Sequence, residues 1–330
     1  MDPALWARPM TSDHSDDTHA RDAQRRVGQL DMDKVKRAAD SYLESAEGSA
    51  AARLRFLEGL WTIQSRIEAV DRPYDPPEAG AARDALVTGQ PLFLVSPPDV
   101  PLPEYVEAAT AVAAYVCEAA GLSEEQIEAL ERADFAAAIT AKRLASAVRT
   151  PDAFFAAVAA ALGVGESSPL TYATVAFVLA SALVPFLTGP SGRAREALGE
   201  ADLSTWRSGM CPVCGSAAAM GRMGERSEKQ GGERVLWCGL CHAEWPYERI
   251  RCVRCGTRNP GSLRYTYLEA DPVHRLHLCD ECHGYARFVF EDELRKPLSM
   301  VVEDAASVTL DAVARVEGYT PDGDGSRSAS

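Results

Sequence analysis

Four Cys-x-x-Cys pairs, Cys211/Cys214, Cys238/Cys241, Cys252/Cys255 and Cys279/Cys282, take up eight of the nine cysteines. Adding 41 to each cysteine of the first two pairs gives a cysteine of the last two. One four-thiol unit is therefore written twice. Four sulfurs on two knuckles have the ligand count and spacing of a tetrahedral metal site. The repeat pairs Cys211/Cys214 with Cys238/Cys241, and Cys252/Cys255 with Cys279/Cys282. Gly215 and Gly256 follow the first knuckle of each unit, where a positive φ relieves the turn. His242 and His283 stand in that place after the second knuckles. A bound ion contributes on the order of 10 kcal/mol to folding, so two could organise about 80 residues that lack a large core of their own. Four sulfurs leave no open coordination position, which excludes hydrolytic metal chemistry. Zinc is the default ion and iron its rival, since a tetrahedron of sulfurs suits either.

Other uses of paired cysteines fit less well. Residues 1–30 carry no apolar run that could serve an export signal, and the Arg25-Arg26 pair lacks the apolar stretch that should follow it. The expected location is the cytoplasm, where paired thiols bind metal rather than form cystines. Cys238-Gly-Leu-Cys241-His242 and Cys279-Asp-Glu-Cys282-His283 match a c-type haem attachment pattern, but haem attachment would strand the other two pairs. A thioredoxin-like redox pair opens a helix in a βαβ unit, and hairpin text surrounds these pairs instead. A nucleic-acid-binding ribbon needs net positive charge. The chain carries −14, and residues 206–287 hold twelve Lys/Arg against nine Asp/Glu, a surplus of three. Two four-thiolate sites with divalent ions would cancel that surplus, leaving a local cluster at Arg249, Arg251, Arg254 and Arg258. No nucleic-acid partner is expected. Cys117, alone on an alanine-rich helix, reads as a small buried side chain. His274 and His277 read as strand residues rather than alternative ligands. Trp245 and Tyr247 are expected to pack between the two units, with an exposed partner-binding role as the alternative.

The expected fold class is α+β: an all-helical N-terminal domain, two tandem rubredoxin-like or zinc-ribbon modules, and a C-terminal helix. Residues 1–30 read as a disordered leader and 31–205 as the helical domain. Residues 206–290 read as the double metal module, with repeats at 211–241 and 252–282. Residues 291–319 are a strand and helix, and 320–330 a disordered tail. Alanine-, leucine- and glutamate-rich text broken at Pro or Gly predicts helices over 32–46, 50–70, 78–88, 103–120, 123–146, 151–162 and 169–187. Ser123 and Gln126 have the spacing of a capping box. The proline-rich stretch 71–103 reads as an irregular connection draped over the surface. Residues 167–192 carry no charged residue and could nearly span a bilayer; they are expected to form a buried helix, with no stable membrane insertion. In the metal module, 217–223 and 233–237 should pair through a turn at Gly231-Gly232, and 262–268 and 274–278 through 269–272. A strand over 288–290 and a helix over 303–317 should follow.

The order of these motifs resembles the formate dehydrogenase accessory protein family of the FdhE type. The resemblance rests on Cys211-Pro-Val-Cys214-Gly-Ser, on Cys238-Gly-Leu-Cys241-His-Ala-Glu-Trp245-Pro-Tyr-Glu-Arg249-Ile-Arg-Cys252-Val-Arg-Cys255-Gly, and on Cys279-Asp-Glu-Cys282-His-Gly-Tyr285. Asp304-Ala-Ala-Ser-Val-Thr-Leu310-Asp311 and Glu317-Gly-Tyr319 extend it. It covers about 205–320 and is looser before that. The resemblance implies a non-catalytic cytoplasmic factor that binds the catalytic subunit of formate dehydrogenase during maturation. It implies two rubredoxin-like sites per chain, with iron the associated metal, on the eight paired cysteines. No catalytic residue and no organic cofactor site is expected: there is no Walker-type phosphate loop and no His-Glu-x-x-His. An iron protein that passes electrons to or from its partner is the alternative class, and a homodimer is a further expected assembly.

Overall fold

The computed structural model describes residues 30–68, 74–198, 200–224 and 232–323. The expected leader up to residue 29, the tail from 324 and Gly231 of the first hairpin turn lie outside them.

The helical part begins with α1 (Met32–Leu43), α2 (Gly48–Glu68) and α3 (Ala79–Val87). Asp31 caps α1 by accepting from the Lys34 N–H at 3.0 Å. Helix α4 (Leu92–Val95) was not expected from the sequence, and α5 (Leu102–Ala119) follows it. Tyr105, Ala108, Ala109, Val112, Ala113 and Val116 form the buried stripe of α5, at the three-and-four spacing of one helix face.

Where one helix was expected over 123–146 there are three: α6 (Glu124–Glu131), α7 (Phe135–Ala138) and α8 (Ala141–Leu144). The capping box at Ser123 and Gln126 is present. The breaks fall where Asp134 and Thr140 turn their side chains onto the N–H groups of Ala137 and Arg143. Short polar side chains that cap the backbone restart a helix rather than continue it. Helix α9 (Pro151–Ala161) has Pro151 at its first position, where the missing N–H costs nothing.

Helix α10 (Tyr172–Glu196) runs past Pro185 and Pro190 instead of stopping near Leu187. It is surrounded by α2, α5 and α9, and it buries Val175, Val178, Leu179, Ala182, Leu183, Phe186 and Leu187. Burial on this scale outweighs the roughly 3 kcal/mol that an interior proline costs. By length and composition α10 could cross a membrane, yet 61% of its most apolar window is buried inside the protein. A short α11 (Glu200–Leu203) ends the helical part.

Six strands form one sheet: β1 (Met220–Met223), β2 (Arg234–Trp237), β3 (Glu244–Pro246), β4 (Leu263–Leu268), β5 (Asp271–Cys279) and β6 (Gly284–Phe290), in the order β3-β2-β1-β6-β5-β4. Each repeat supplies an antiparallel three-stranded half, and both expected hairpins occur. The halves are fused by a parallel pairing of β1 with β6, Met220 opposite Arg287 through Met223 opposite Phe290. The tandem modules are thus two halves of one sheet. Two short helices follow, α12 (Met300–Ser307) and α13 (Thr309–Val316), in place of the single expected helix. Residues 320–323, expected to be disordered tail, are held down: Thr320 exchanges backbone hydrogen bonds with His283 and Tyr285.

The largest core runs without a break from the helices into the first cysteine unit, joining Tyr105, Phe154 and Phe186 to Cys211, Cys238 and Trp245. A second core packs α1, α2 and α12 on the sheet through Val35, Trp61, Trp237, Val289 and Val302.

Candidate metal centre

The eight paired cysteines come together as two groups of four, Cys211/Cys214/Cys238/Cys241 and Cys252/Cys255/Cys279/Cys282, with the sulfurs of each group within 4.8 Å of one another. Across the knuckles, Cys211 lies 3.5 Å from Cys241 and Cys214 3.5 Å from Cys238. In the second group the matching separations are 3.8 and 3.7 Å. Four sulfurs about 2.3 Å from a central ion, the length of a Zn–S bond, stand about 3.8 Å apart at the corners of a tetrahedron. A disulfide would bring two of them to about 2.05 Å, and all nine cysteines are free. The donor set and its spacing therefore fit one four-coordinate soft metal ion per group.

Backbone geometry builds each cage in the same way. The Val213 and Cys214 N–H groups point at the Cys211 sulfur at 3.4 and 3.5 Å. Arg254 and Cys255 do the same for Cys252 at 3.3 and 3.5 Å. Gly215 and Gly256 close these knuckles at φ +82° and +73°, as their position in the repeat requires. His242 and His283 close the others at φ 56° and 50° and are the only non-glycine residues with positive φ among the described residues. His242 stacks on Trp237 with ring centres 5.3 Å apart, a contact that helps hold the left-handed turn. Burial lowers the His242 pKa to about 4, so the ring is neutral at pH 7.

The two cages differ in setting. The first lies within the main core, all four of its cysteines buried. The second forms a small cluster of its own with Leu263, and its Cys255 is only partly buried.

The connection expected to drape over the surface is pinned to the first knuckle. The N–H groups of Leu92 and Phe93 donate to the carbonyls of Pro212 and Val213 at 2.9 and 2.8 Å, and both side chains are buried. Pro91 also lies against the Gly215 turn. No local signal in the sequence marks this contact. Trp245 and Tyr247 are both buried. Tyr247 donates to the carbonyl of Cys252 at 2.8 Å, tying the last strand of the first half to the first knuckle of the second.

Neither histidine near Cys279 enters a cage. His277 stacks on Phe288 at 4.2 Å, and burial, then Arg234 and Arg275, hold its pKa well below the usual value. His274 is buried between Asp271 (2.8 Å) and Glu303 (2.9 Å), and Tyr42 of α1 donates to the same Glu303 oxygen at 2.6 Å. Cys117 is half-buried. The arginine cluster is dispersed: Arg251 and Arg258 both pair with Glu248, and the Arg258 hydrogen bond does most to hold that carboxyl at about 2. Arg254 donates to the carbonyls of Tyr285 and Ala218.

Comparison with known proteins places these features. Residues 210–249 match the model of the FdhE central domain. An FdhE homologue from Shewanella oneidensis is 32% identical over 111 residues, 33% of this chain and 35% of that protein. One from Aquifex aeolicus is 33% identical over 116 residues, 34% and 40% of the two. FdhE from Escherichia coli is 33% identical over 131 residues, 39% of this chain and 38% of that protein. These matches span little more than a third of the curated relatives' own length. The crystal structure of FdhE from Pseudomonas aeruginosa shares the fold over 91% of this chain and 96% of that one, with a TM-score of 0.54 and 22% identity.

Proposed function

The chain belongs to the FdhE family, and on that premise we propose that it is a cytoplasmic accessory factor for the maturation of formate dehydrogenase. It acts by binding the catalytic subunit of that enzyme and catalyses no reaction of its own. The eight cysteines hold two metal ions, one on Cys211, Cys214, Cys238 and Cys241 and the other on Cys252, Cys255, Cys279 and Cys282. The observation that carries this reading is the pair of four-sulfur cages set into a single six-stranded sheet. A closed cage fixes the shape of the surrounding loops and offers no coordination position to a substrate. A second reading, electron transfer through iron, is favoured by one feature: Cys255 brings the second cage toward solvent.

The test combines partner and metal. The chain is purified anaerobically from cells making formate dehydrogenase, co-purifying proteins are identified, and the eluate is analysed for metal. Cells carrying Cys252→Ala with Cys255→Ala should lose formate dehydrogenase activity together with one ion per chain. Full activity in cells whose protein has lost that ion would overturn the role given to the metal. A colourless zinc protein would exclude the redox reading, and a reversible visible absorption would favour it.

A further inference from the structure

Between the loop that joins the two halves and the outer face of β4–β6 lies a cleft of about 230 Å³. Arg234, Arg249, Arg251, Arg254, Arg264 and His277 line it, and among the described residues no aspartate or glutamate does. Arg251 and Arg264 have carboxylate partners elsewhere, in Glu248 and Asp280. Arg234 is different. It is 3% exposed, and its Nη1 donates to the carbonyls of Glu248, Arg249 and Arg251 at 3.1, 3.1 and 2.8 Å. Its Nε–H is buried and has no partner among the described residues. The guanidinium lies against Phe288 at 4.4 Å and Tyr247 at 5.5 Å, which stabilises the cation without satisfying that donor. A buried donor left unpaired is destabilising, the more so on a charged group. An oxyanion is the ligand chemistry that satisfies it.

The thiolates of the second cage are the competing explanation, because Cys252 and Cys279 also line the cleft. A four-thiolate cage around a divalent ion carries two negative charges. Arg254 answers to that cage and to the charge of Asp322, whereas Arg234 and Arg249 form no ion pair with a carboxylate among the described residues. Arg249 is exposed, and no cage needs it.

What surrounds the charge decides the class of ligand. The exposed lips of the cleft are Ile250 and Tyr265, 60% and 63% exposed. An adjoining groove of about 420 Å³ shares Arg249, Ile250, Tyr265 and His277 and continues to Met223 and Phe290. Beside it β4 is the last strand of the sheet, so one row of its backbone groups faces no strand among the described residues. A free strand edge offers a hydrogen-bonding ladder to an extended peptide, which a nucleotide would not use. The chain as a whole carries −14, so a local site of positive charge selects an acidic partner that the rest of the surface repels.

We propose that this cleft holds an extended peptide segment of a protein partner, one whose carboxylate reaches Arg234 and Arg249 while neighbouring apolar side chains fill the groove beside Ile250 and Tyr265. The inference deepens the assembly-factor reading and rests on it.

The test uses the full-length, metal-loaded chain as bait for a random peptide display library, with Arg249→Glu and Ile250→Ala as comparison baits. Both positions are exposed, and metal content verifies that each variant holds its ions. The selected peptides should be rich in Asp or Glu beside Leu or Phe. They should bind less tightly as salt is added and lose at least about tenfold in affinity to Arg249→Glu. Selection of no peptide, of peptides without acidic residues, or of peptides that bind Arg249→Glu equally well would overturn the proposal. So would tight, Arg249-dependent binding of AMP or inorganic phosphate with no peptide selected, which would mark a small-phosphate site. Formate dehydrogenase activity in cells carrying Arg249→Glu is measured separately. If the chain proves dispensable for that activity while acidic peptides still bind, the assembly reading fails and the cleft stands. If activity needs the chain but no acidic peptide binds, only the cleft fails.

Discussion

Substituting His274 by glutamine should remove a pH-dependent clamp between the helical part and the sheet. His274 lies on β5, 1% exposed, and its two ring nitrogens face Asp271 of the same strand and Glu303 of α12. Glu303 is fully buried and is held from the other side by Tyr42 of α1. Lys296 sits 3.7 Å above the Tyr42 ring, which completes the charged surroundings. Burial lowers the His274 pKa, but the hydrogen bonds and charges of Asp271 and Glu303 outweigh it and carry the value up from 6.5 to about 9. A group that holds its proton to about 9 when folded and to about 6.5 when unfolded stabilises by about 3 kcal/mol. Asp271 is 38% exposed, so solvent screens its share, and about 2 kcal/mol is the working figure. The folded state binds the extra proton, so this stability is full below pH 6.5 and is lost as pH rises through 9. The assay is urea unfolding of the metal-loaded wild type and His274→Gln at about pH 6 and about pH 10. Titrations unrelated to His274, including those of the thiols, cancel in the difference between the two proteins. The wild type should exceed the variant by about 2 kcal/mol more at the lower pH than at the higher. An equal difference at both pH values would refute the reasoning.

Chelator should strip the two ions in sequence. The second cage, with its partly buried Cys255, should empty first, and the first, inside the main core, should hold its ion until the fold loosens; two kinetic phases of metal release are expected. Leu92→Ala should cost about 2–5 kcal/mol, read from thermal or urea unfolding, because the side chain is fully buried against the first knuckle. Gly221→Ala should destabilise by about 1–3 kcal/mol or more in the same measurement, since its Cβ would meet the Phe288 ring and stand 2.8 Å from the Val235 carbonyl oxygen at the join between the two halves.

The cages were legible because each is specified locally. Two cysteines three apart, a glycine or histidine after them, and a hairpin between knuckles leave few ways for the sulfurs to meet. The capping box at Ser123 and the buried stripe of α5 were legible for the same reason: their partners lie within a turn or two of helix. What escaped was set by contacts between distant residues. Pro185 reads as a helix end until α2, α5 and α9 surround α10 and make its burial worth more than the lost hydrogen bond. Leu92 and Phe93 read as loop until their N–H groups meet the carbonyls of a knuckle about 120 residues away in the chain. The partners of His274 lie on three separate elements, and nothing next to it announces Glu303 or Tyr42. Arg234 reads as an ordinary strand residue until the loop that joins the two halves closes over it.

The parallel pairing of β1 with β6 explains why two units with one cysteine pattern end in unlike settings. Each half has the strand order of its own repeat, so a symmetric arrangement would have given both cages the same neighbours. Joining the first strand of one half to the last strand of the other instead leaves β3 and β4 as the two edges. Within the first half, Trp245 of β3 and Leu236 of β2 belong to the main core that the helices share, so this half is sealed along with its cage. At the other edge β4 lies far from those helices in the strand order, and its outward residues Tyr265 and Tyr267 are exposed. The second cage therefore shares its half of the sheet with the exposed edge and the arginine cleft, while the first is fixed in the scaffold. The two cysteine units are alike in sequence, and the single asymmetric strand pairing makes one of them internal and leaves the other beside an exposed sheet edge.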